Sequence, residues 1–117
     1  MTVDGIWTGE ILGPYGWENS GVYVLENGRI LGSSNRHYSS GTYSVTDGHY
    51  HAKVQVHYYG PPRAIFGEQR ERFELEVKGE LQDDVIDGQI VPSDKPESTV
   101  TYRMSKRLDI LEVQANP

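Results

Sequence analysis

The stretch from His49 to Tyr58, HYHAKVQVHY, decides the fold class of this chain. Polar and charged residues occupy one parity of the stretch, and the other parity carries Tyr50, Ala52, Val54, Val56 and Tyr58. Successive side chains of a β-strand point to opposite faces, so this alternation predicts a strand with one buried and one solvated face. Residues 68–81 repeat the pattern, which predicts a second strand of the same kind.

Turn signals divide the rest of the chain into similar segments. Asn27-Gly28 and Asp47-Gly48 are dipeptides favoured in type I′ hairpin turns, because both central residues of that turn need a positive φ. The alternation predicts about eight strands, near residues 5–12, 20–26, 29–33, 38–45, 49–59, 69–81, 85–91 and 98–104. Residues 13–19 are predicted to form a longer first loop. Consecutive strands joined by short turns indicate an all-β fold, a small antiparallel up-and-down barrel of about seven or eight strands.

Length and composition limit the function. The 117 residues predict a single β-barrel domain at residues 1–108, followed by a flexible C-terminal tail at residues 109–117. Seventeen acidic residues against 11 basic ones disfavour direct binding to nucleic acid, which requires a basic surface. No apolar run approaches the roughly 18 residues of a membrane helix, and the chain has no cysteine. We therefore expect a soluble cytoplasmic protein that does not contact a membrane.

The interior of such a barrel is the first candidate site. An eight-stranded barrel is just wide enough to be filled by side chains or to hold one small ligand. Among the residues expected to point inward, five aromatic ones are candidates for the lining of a ligand cavity: Trp7, Tyr43, Tyr50, Phe73 and Tyr102. Buried tyrosine hydroxyls need hydrogen-bond partners, so the interior is predicted to be either a packed core with buried water or a binding site for a small apolar ligand.

The three residues His49, His51 and His57 come nearest to a metal site. His49 and His51 share one face of a strand, but His57 lies about 20 Å from His51 at about 3.3 Å per residue. Solvated histidines are therefore expected, and a weak transition-metal site is the alternative. The sequence contains no nucleophile elbow. We nominate no catalytic, cofactor-binding or metal-ligating residue, and we expect a protein without enzymatic activity.

Two loops carry aromatic residues that are candidates for contact with a protein partner. Tyr15 and Trp17 follow Gly13-Pro14, and Phe66 ends the segment Pro61-Pro62-Arg63-Ala64-Ile65-Phe66. Exposed aromatic residues are favoured anchors at protein interfaces, and the alternative is that these loops cover the mouths of the barrel. If Ile65 and Phe66 are exposed, a homodimer is the expected cover for the apolar patch that they form.

The first strand contains Gly5-x-Trp7, which is similar to the opening of lipocalin-type barrels. In those barrels a tryptophan plugs the closed end and an arginine from the last strand crosses it. The resemblance implies that Trp7 is the plug and that Arg103 stacks on it by a cation–π contact.

From Asp4 to Tyr58 the sequence resembles the GrlR family, small bacterial proteins named for a negative regulator of type III secretion genes. The resemblance is carried by the order and spacing of five segments: Asp4-Gly5-Ile6-Trp7, Gly21-Val22-Tyr23-Val24-Leu25, Asn27-Gly28-Arg29-Ile30-Leu31-Gly32, Ser40-Gly41-Thr42-Tyr43 and Val54-Gln55-Val56-His57-Tyr58. It implies a lipocalin-like barrel that forms a homodimer and has no enzymatic activity.

The same resemblance implies a function. In the founding member of the family, an acidic surface run before the fifth strand engages a transcriptional activator and keeps it from DNA. The corresponding segment here is Val45-Thr46-Asp47-Gly48-His49, which makes Asp47 a candidate partner contact. The expected function is negative regulation through protein–protein contact with a transcriptional regulator. The alternative is a carrier or sensor with a small apolar ligand inside the barrel.

Overall fold

The computed structural model describes residues 3–61 and 71–110. Its eight strands are β1 (Gly5–Gly13), β2 (Gly16–Glu26), β3 (Arg29–Ser33), β4 (His37–Thr46), β5 (His49–Tyr58), β6 (Arg72–Gln82), β7 (Val85–Pro92) and β8 (Val100–Asp109). Each strand pairs antiparallel with the next, and β8 pairs with β1 to close the barrel. A short 3-10 turn, Pro96–Ser98, precedes β8. The predicted all-β, up-and-down barrel is confirmed.

Hairpin turns form where the dipeptides predicted them. Asn27 and Gly28 have φ values of 52° and 78°, and Asp47 and Gly48 have 54° and 79°. Positive φ at both central residues is the geometry of a type I′ turn, whose twist matches that of the flanking strands. The β6–β7 turn also begins with a residue of positive φ, Asp83.

The predicted long loop at residues 13–19 is wrong. Only Pro14 and Tyr15 form the turn, because β2 begins at Gly16, which pairs with Gly13. Gly16 has a φ of 118°, a conformation that glycine adopts at little cost, and this allows the chain to reverse within two residues. At the other end of the chain, β8 continues to Asp109 because it stays paired with β1 beyond Met104. Residues 111–117 of the predicted tail lie outside the described residues, as do Ile65 and Phe66.

The core lies inside the barrel and follows the predicted parity. The buried apolar residues are Trp7, Ile11, Leu25, Ile30, Tyr50, Ala52, Val54, Val56, Phe73, Leu75, Val77, Ile86, Tyr102 and Met104. In β1 and β2, Trp7 and Leu25 point inward, whereas Ile6 and Val24 belong to the outer parity. Residues of the inner parity therefore define the space in which a ligand could lie.

Candidate ligand cavity

One end of the barrel is closed by side chains. Trp7, Leu25 and Ile86 are fully buried there. The indole Nε1 of Trp7 donates a hydrogen bond of 2.9 Å to the carbonyl oxygen of Val3, so its polar atom is satisfied at the barrel end. Trp7 thus has the plug position that the Gly5-x-Trp7 pattern suggested. We call this the Trp7 end.

The predicted contact between Arg103 and Trp7 is wrong. Arg103 lies between Tyr102 and Met104, which both point inward, so its own side chain points outward. Its guanidinium carbon lies 4.7 Å from the ring centre of Trp17, and its Nε donates a 2.8 Å hydrogen bond to Asp87. The β8 residue that pairs with Trp7 is Lys106, whose side chain is largely buried.

A cavity of about 80 Å³ remains in the barrel interior. A single water needs roughly 10–15 Å³ by the same kind of measure, so the cavity has room for several waters or for one small organic molecule. The lining comes from all eight strands: Ile11, Ser20, Tyr23, Ile30, His37, Ser39, Tyr50, Val54, Val56, Tyr58, Phe73, Leu75, Val77, Ile90, Tyr102 and Met104. No Asp, Glu, Lys or Arg of the described segments belongs to this set.

Glycines on the inner face shape this space. Tyr50, Gly79, Gly88 and Tyr102 form one row across β5, β6, β7 and β8. A Cβ at Gly79 would lie 2.6 Å from the hydroxyl oxygen of Tyr102, so the tyrosine occupies the room that the glycine leaves. Because this side chain lies along the wall, it lines the cavity rather than filling the centre of the barrel.

The Tyr23 side chain, on β2, also lies over glycines of the barrel wall. A Cβ at Gly9 would lie 2.8 Å from its ring, and one at Gly32 would overlap the ring. The Tyr23 hydroxyl donates to the carbonyl oxygen of Ser20 at 3.2 Å, which turns its polar atom toward the β2 backbone. Ser39 of β4, which pairs with Gly32 of β3, is 4% exposed.

Three hydroxyl oxygens at the cavity are buried without a hydrogen-bond partner among residues 3–61 and 71–110: those of Ser39, Tyr50 and Tyr102. Burial raises the pKa of Tyr50 and of Tyr102 above the ordinary value of 10.0, and each is raised further by a neighbouring tyrosine. Both phenols are therefore neutral at physiological pH and available to donate a hydrogen bond.

The remaining aromatic candidate, Tyr43, is placed differently. Its ring stacks on that of Tyr50 with centroids 5.9 Å apart, but its hydroxyl donates a 2.8 Å hydrogen bond to Asp4 Oδ1. Burial, together with that hydrogen bond, raises the pKa of Tyr43 to about 12. Tyr43 thus has a satisfied hydroxyl outside the cavity lining and provides a control for Tyr50.

We expect Tyr43→Phe to lower the stability of the barrel and Tyr50→Phe not to lower it. Tyr43→Phe removes a hydrogen bond to a charged group and is expected to lower the free energy of unfolding by about 1.5 kcal/mol. Tyr50→Phe removes a hydroxyl that has no described partner and is expected to leave this free energy unchanged or to raise it by about 1 kcal/mol. Urea denaturation of both variants measures the difference, and an equal loss in the two would contradict it.

Of the five predicted cavity residues, Tyr50, Phe73 and Tyr102 line the cavity, whereas Trp7 and Tyr43 lie outside the lining set. Sequence reasoning did not nominate His37 and Ser39. Both share the parity of Tyr43 on β4, so extending that parity to the start of the strand would have found them. The hydroxyl of Ser34 lies 2.7 Å from His37 Nδ1, which orients the imidazole at the end of the barrel opposite Trp7.

The predicted partner contacts do not form one surface. Tyr15, which is 98% exposed, and Trp17 lie at the β1–β2 turn, whereas Asp47 lies at the β4–β5 turn. In an up-and-down barrel these two turns are at opposite ends, because one follows an odd-numbered strand and the other an even-numbered strand. Phe66 lies outside the described residues. A single partner would therefore have to span the barrel to contact both turns.

The outer surface of the barrel has an apolar part and a part with charged and polar pairs. On β2, β3 and β4 it exposes Val22, Leu31 and Tyr38, and Tyr38 stacks on His57 with ring centroids 5.1 Å apart. We call Val22, Leu31 and Tyr38 the apolar face. On β5 to β8 the outer surface carries charged and polar pairs of both signs: Gln55 with Glu74, Lys78 with Glu76, and Arg103 with Asp87.

Two of the outer histidines are paired with carboxylates. His49 Nδ1 lies 2.8 Å from Glu80, and His51 Nε2 lies 3.7 Å from Glu76. Within the described ranges no group of three or more His, Cys, Asp or Glu side chains is arranged to hold a metal ion. Each of these histidines therefore contributes to a cross-strand pair on the outer face.

No family model matches the chain, and no curated protein matches it. The part of the chain that the structure describes contains no helix long and apolar enough to cross a membrane. The cavity and the apolar face are therefore the two features of the molecule that bear on its function.

Proposed function

We propose that the protein is a non-enzymatic binding barrel that takes a small, largely apolar molecule into its interior. The observation that carries this proposal is the cavity of about 80 Å³, which is lined mainly by aliphatic and aromatic side chains. Small-molecule sites are typically apolar pockets with a few placed polar groups. The Ser39, Tyr50 and Tyr102 hydroxyls are such groups. A cytoplasmic location is part of the proposal and is favoured by the cysteine-free composition.

The test replaces a residue that lines the cavity by one with a larger side chain. Val54 lines the cavity, and its neighbour Gln55 is exposed on the outside of the same strand. Cyclohexanone titrated into the wild type is expected to shift the methyl NMR signals of Val77 and Met104. Val54→Phe is expected to weaken this binding at least tenfold because the larger ring occupies the space, whereas Gln55→Phe leaves it unchanged.

Overpacking can itself disturb a barrel, so a smaller change accompanies the test. Val54→Leu adds a single methylene and is expected to give an intermediate loss of affinity. Equal affinity in the wild type, Val54→Leu and Val54→Phe would contradict binding inside the barrel. The absence of methyl shifts in the wild type with every neutral probe of this size, cyclohexanone and a hydrocarbon of the same shape alike, would contradict the proposed function.

The apolar face favours a second candidate function, GrlR-like negative regulation through protein–protein contact. Leu31 is 60% exposed and Tyr38 is 52% exposed, and these residues lie on adjacent strands. Contiguous exposed apolar surface marks protein interfaces, and a two-fold homodimer is the commonest way to cover it. In this proposal the dimer engages a transcriptional regulator as its partner.

A charge placed on the apolar face tests this second candidate. We expect the wild type to sediment as a species of twice 13.2 kDa, and Leu31→Glu to sediment as a monomer. Ser44→Glu is the control, because Ser44 is exposed on the outside of β4 beyond the apolar face. A wild-type monomer at high protein concentration, or equal effects of the two substitutions, would count against a dimer through this face.

A further inference from the structure

The polar atoms of the cavity carry information about the ligand beyond its size. Ser39, Tyr50 and Tyr102 each belong to the lining, and each has a buried hydroxyl oxygen without a partner in the described segments. A buried hydroxyl is stable only when its hydrogen-bonding capacity is used. A ligand with a complementary polar group could therefore form hydrogen bonds with these three hydroxyls.

The Tyr102 hydroxyl lies near the position of Tyr50 in the barrel wall. Tyr50 and Tyr102 belong to the same cross-strand row and are separated by Gly79 and Gly88, which have no side chains. The Tyr102 hydroxyl extends over Gly79, the residue that pairs directly with Tyr50. The interaction between the two phenols that raises the pKa of Tyr102 is consistent with this proximity.

The rest of the lining restricts the charge of the ligand. No Lys or Arg of the described residues lines the cavity, so a buried carboxylate or phosphate would lack a permanent counter-charge. No Asp or Glu of these residues lines it either, which leaves a cation equally unpaired. The titratable imidazole in the lining is that of His37, which lies at the barrel end opposite Trp7 with its Nδ1 2.7 Å from the Ser34 hydroxyl. A neutral ligand would therefore enter this interior without the free-energy cost of burying an unpaired charge.

Resting on the proposed function, we infer that the ligand is a neutral apolar molecule with a carbonyl oxygen, which accepts hydrogen bonds from the Tyr50 and Tyr102 hydroxyls. A carbonyl oxygen has two lone pairs and brings no donor of its own. It can therefore satisfy two phenols at once without leaving a new polar atom unpaired. Ser39, on β4 next to the strand that carries Tyr50, is the additional donor.

A matched pair of probes tests the carbonyl directly. Cyclohexanone and methylenecyclohexane have nearly the same shape, but the first has a carbonyl oxygen where the second has a CH₂ group. Affinities are measured from the methyl NMR shifts of Val77 and Met104. We expect Tyr50→Phe and Tyr102→Phe each to weaken cyclohexanone about three- to tenfold, the range of one neutral hydrogen bond, and to change methylenecyclohexane less than twofold.

Tyr43→Phe is the matched control, because Tyr43 stacks on Tyr50 but directs its hydroxyl to Asp4. It is expected to leave the affinity of both probes unchanged. If both probes bind but the Tyr50 and Tyr102 variants affect them equally, the carbonyl inference is overturned while the proposed function stands. Tighter binding of cyclohexanecarboxylate than of cyclohexanone would also overturn it. If neither neutral probe binds, the proposed function itself fails.

Discussion

Trp7→Ala is expected to lower the free energy of unfolding by about 4 kcal/mol, within the range typical of a fully buried tryptophan. Trp7 has no exposed surface, and its ring closes one end of the barrel together with Leu25 and Ile86. The substitution removes this packing and also the hydrogen bond from Nε1 to the Val3 carbonyl oxygen. The substitution leaves a cavity at this end of the barrel, and few neighbouring side chains can move into it. Most of the decrease in the free energy of unfolding is therefore expected to remain. Urea denaturation followed by far-UV circular dichroism measures the change.

The second tryptophan is the control for this experiment. Trp17 is 39% exposed and contacts the Arg103 guanidinium on the outer surface. Its replacement by alanine is expected to cost about 1 kcal/mol, because an exposed cation–π contact contributes little. A loss for Trp17→Ala that equals or exceeds the loss for Trp7→Ala would contradict the assignment of Trp7 as the plug.

Gly88→Ala is expected to destabilise the barrel by about 3 kcal/mol, at the upper end of ordinary overpacking. A Cβ at this position would overlap the Lys78 carbonyl oxygen and would lie 2.5 Å from Gly79 Cα, and both atoms belong to the β6 backbone. Backbone atoms cannot rotate away as a flexible side chain can. The strand pair β6–β7 must therefore separate locally, in the row that also positions Tyr50 and Tyr102.

Gly60→Ala is the matched control for Gly88→Ala. Gly60 has an ordinary φ, and the nearest atom to an added Cβ is Arg36 Cα at 3.5 Å, a normal van der Waals distance. We expect its thermal midpoint to stay within about 3 °C of the wild type, which corresponds to well under 1 kcal/mol for a domain of this size. Similar midpoints for the Gly88→Ala and Gly60→Ala variants would show that the close approach at Gly88 is not required.

The fold was predictable because its determinants are local. Alternation in residues 49–58 and the Asn27-Gly28 and Asp47-Gly48 turns each act over a few residues, and together they specify successive antiparallel strands. The Arg103 prediction failed although the same rule applied to it. Tyr102 and Met104 point inward, so the residue between them points outward and meets Trp17.

The site was less predictable because it depends on register across several strands. Alternation placed Tyr50 and Tyr102 inside, but it did not show that Gly79 and Gly88 lie between them. Those glycines let a tyrosine lie along the wall, so a cavity remains where inward parity alone would suggest a filled core. Tyr43 shares the inward parity, yet Asp4, 39 residues away in sequence, accepts its hydrogen bond outside the lining.

Xenon binding shows whether the barrel interior is an apolar cavity that a ligand can enter. Xenon occupies dry apolar cavities and does not require a known ligand. Methyl NMR spectra recorded under increasing xenon pressure should show saturable shifts for Val54, Val77 and Met104, which line the cavity. Val22 and Leu31, which are exposed on the outer surface, should shift little and without saturation. Unshifted interior methyls, or saturable shifts confined to Val22 and Leu31, would show that the interior does not take up a ligand.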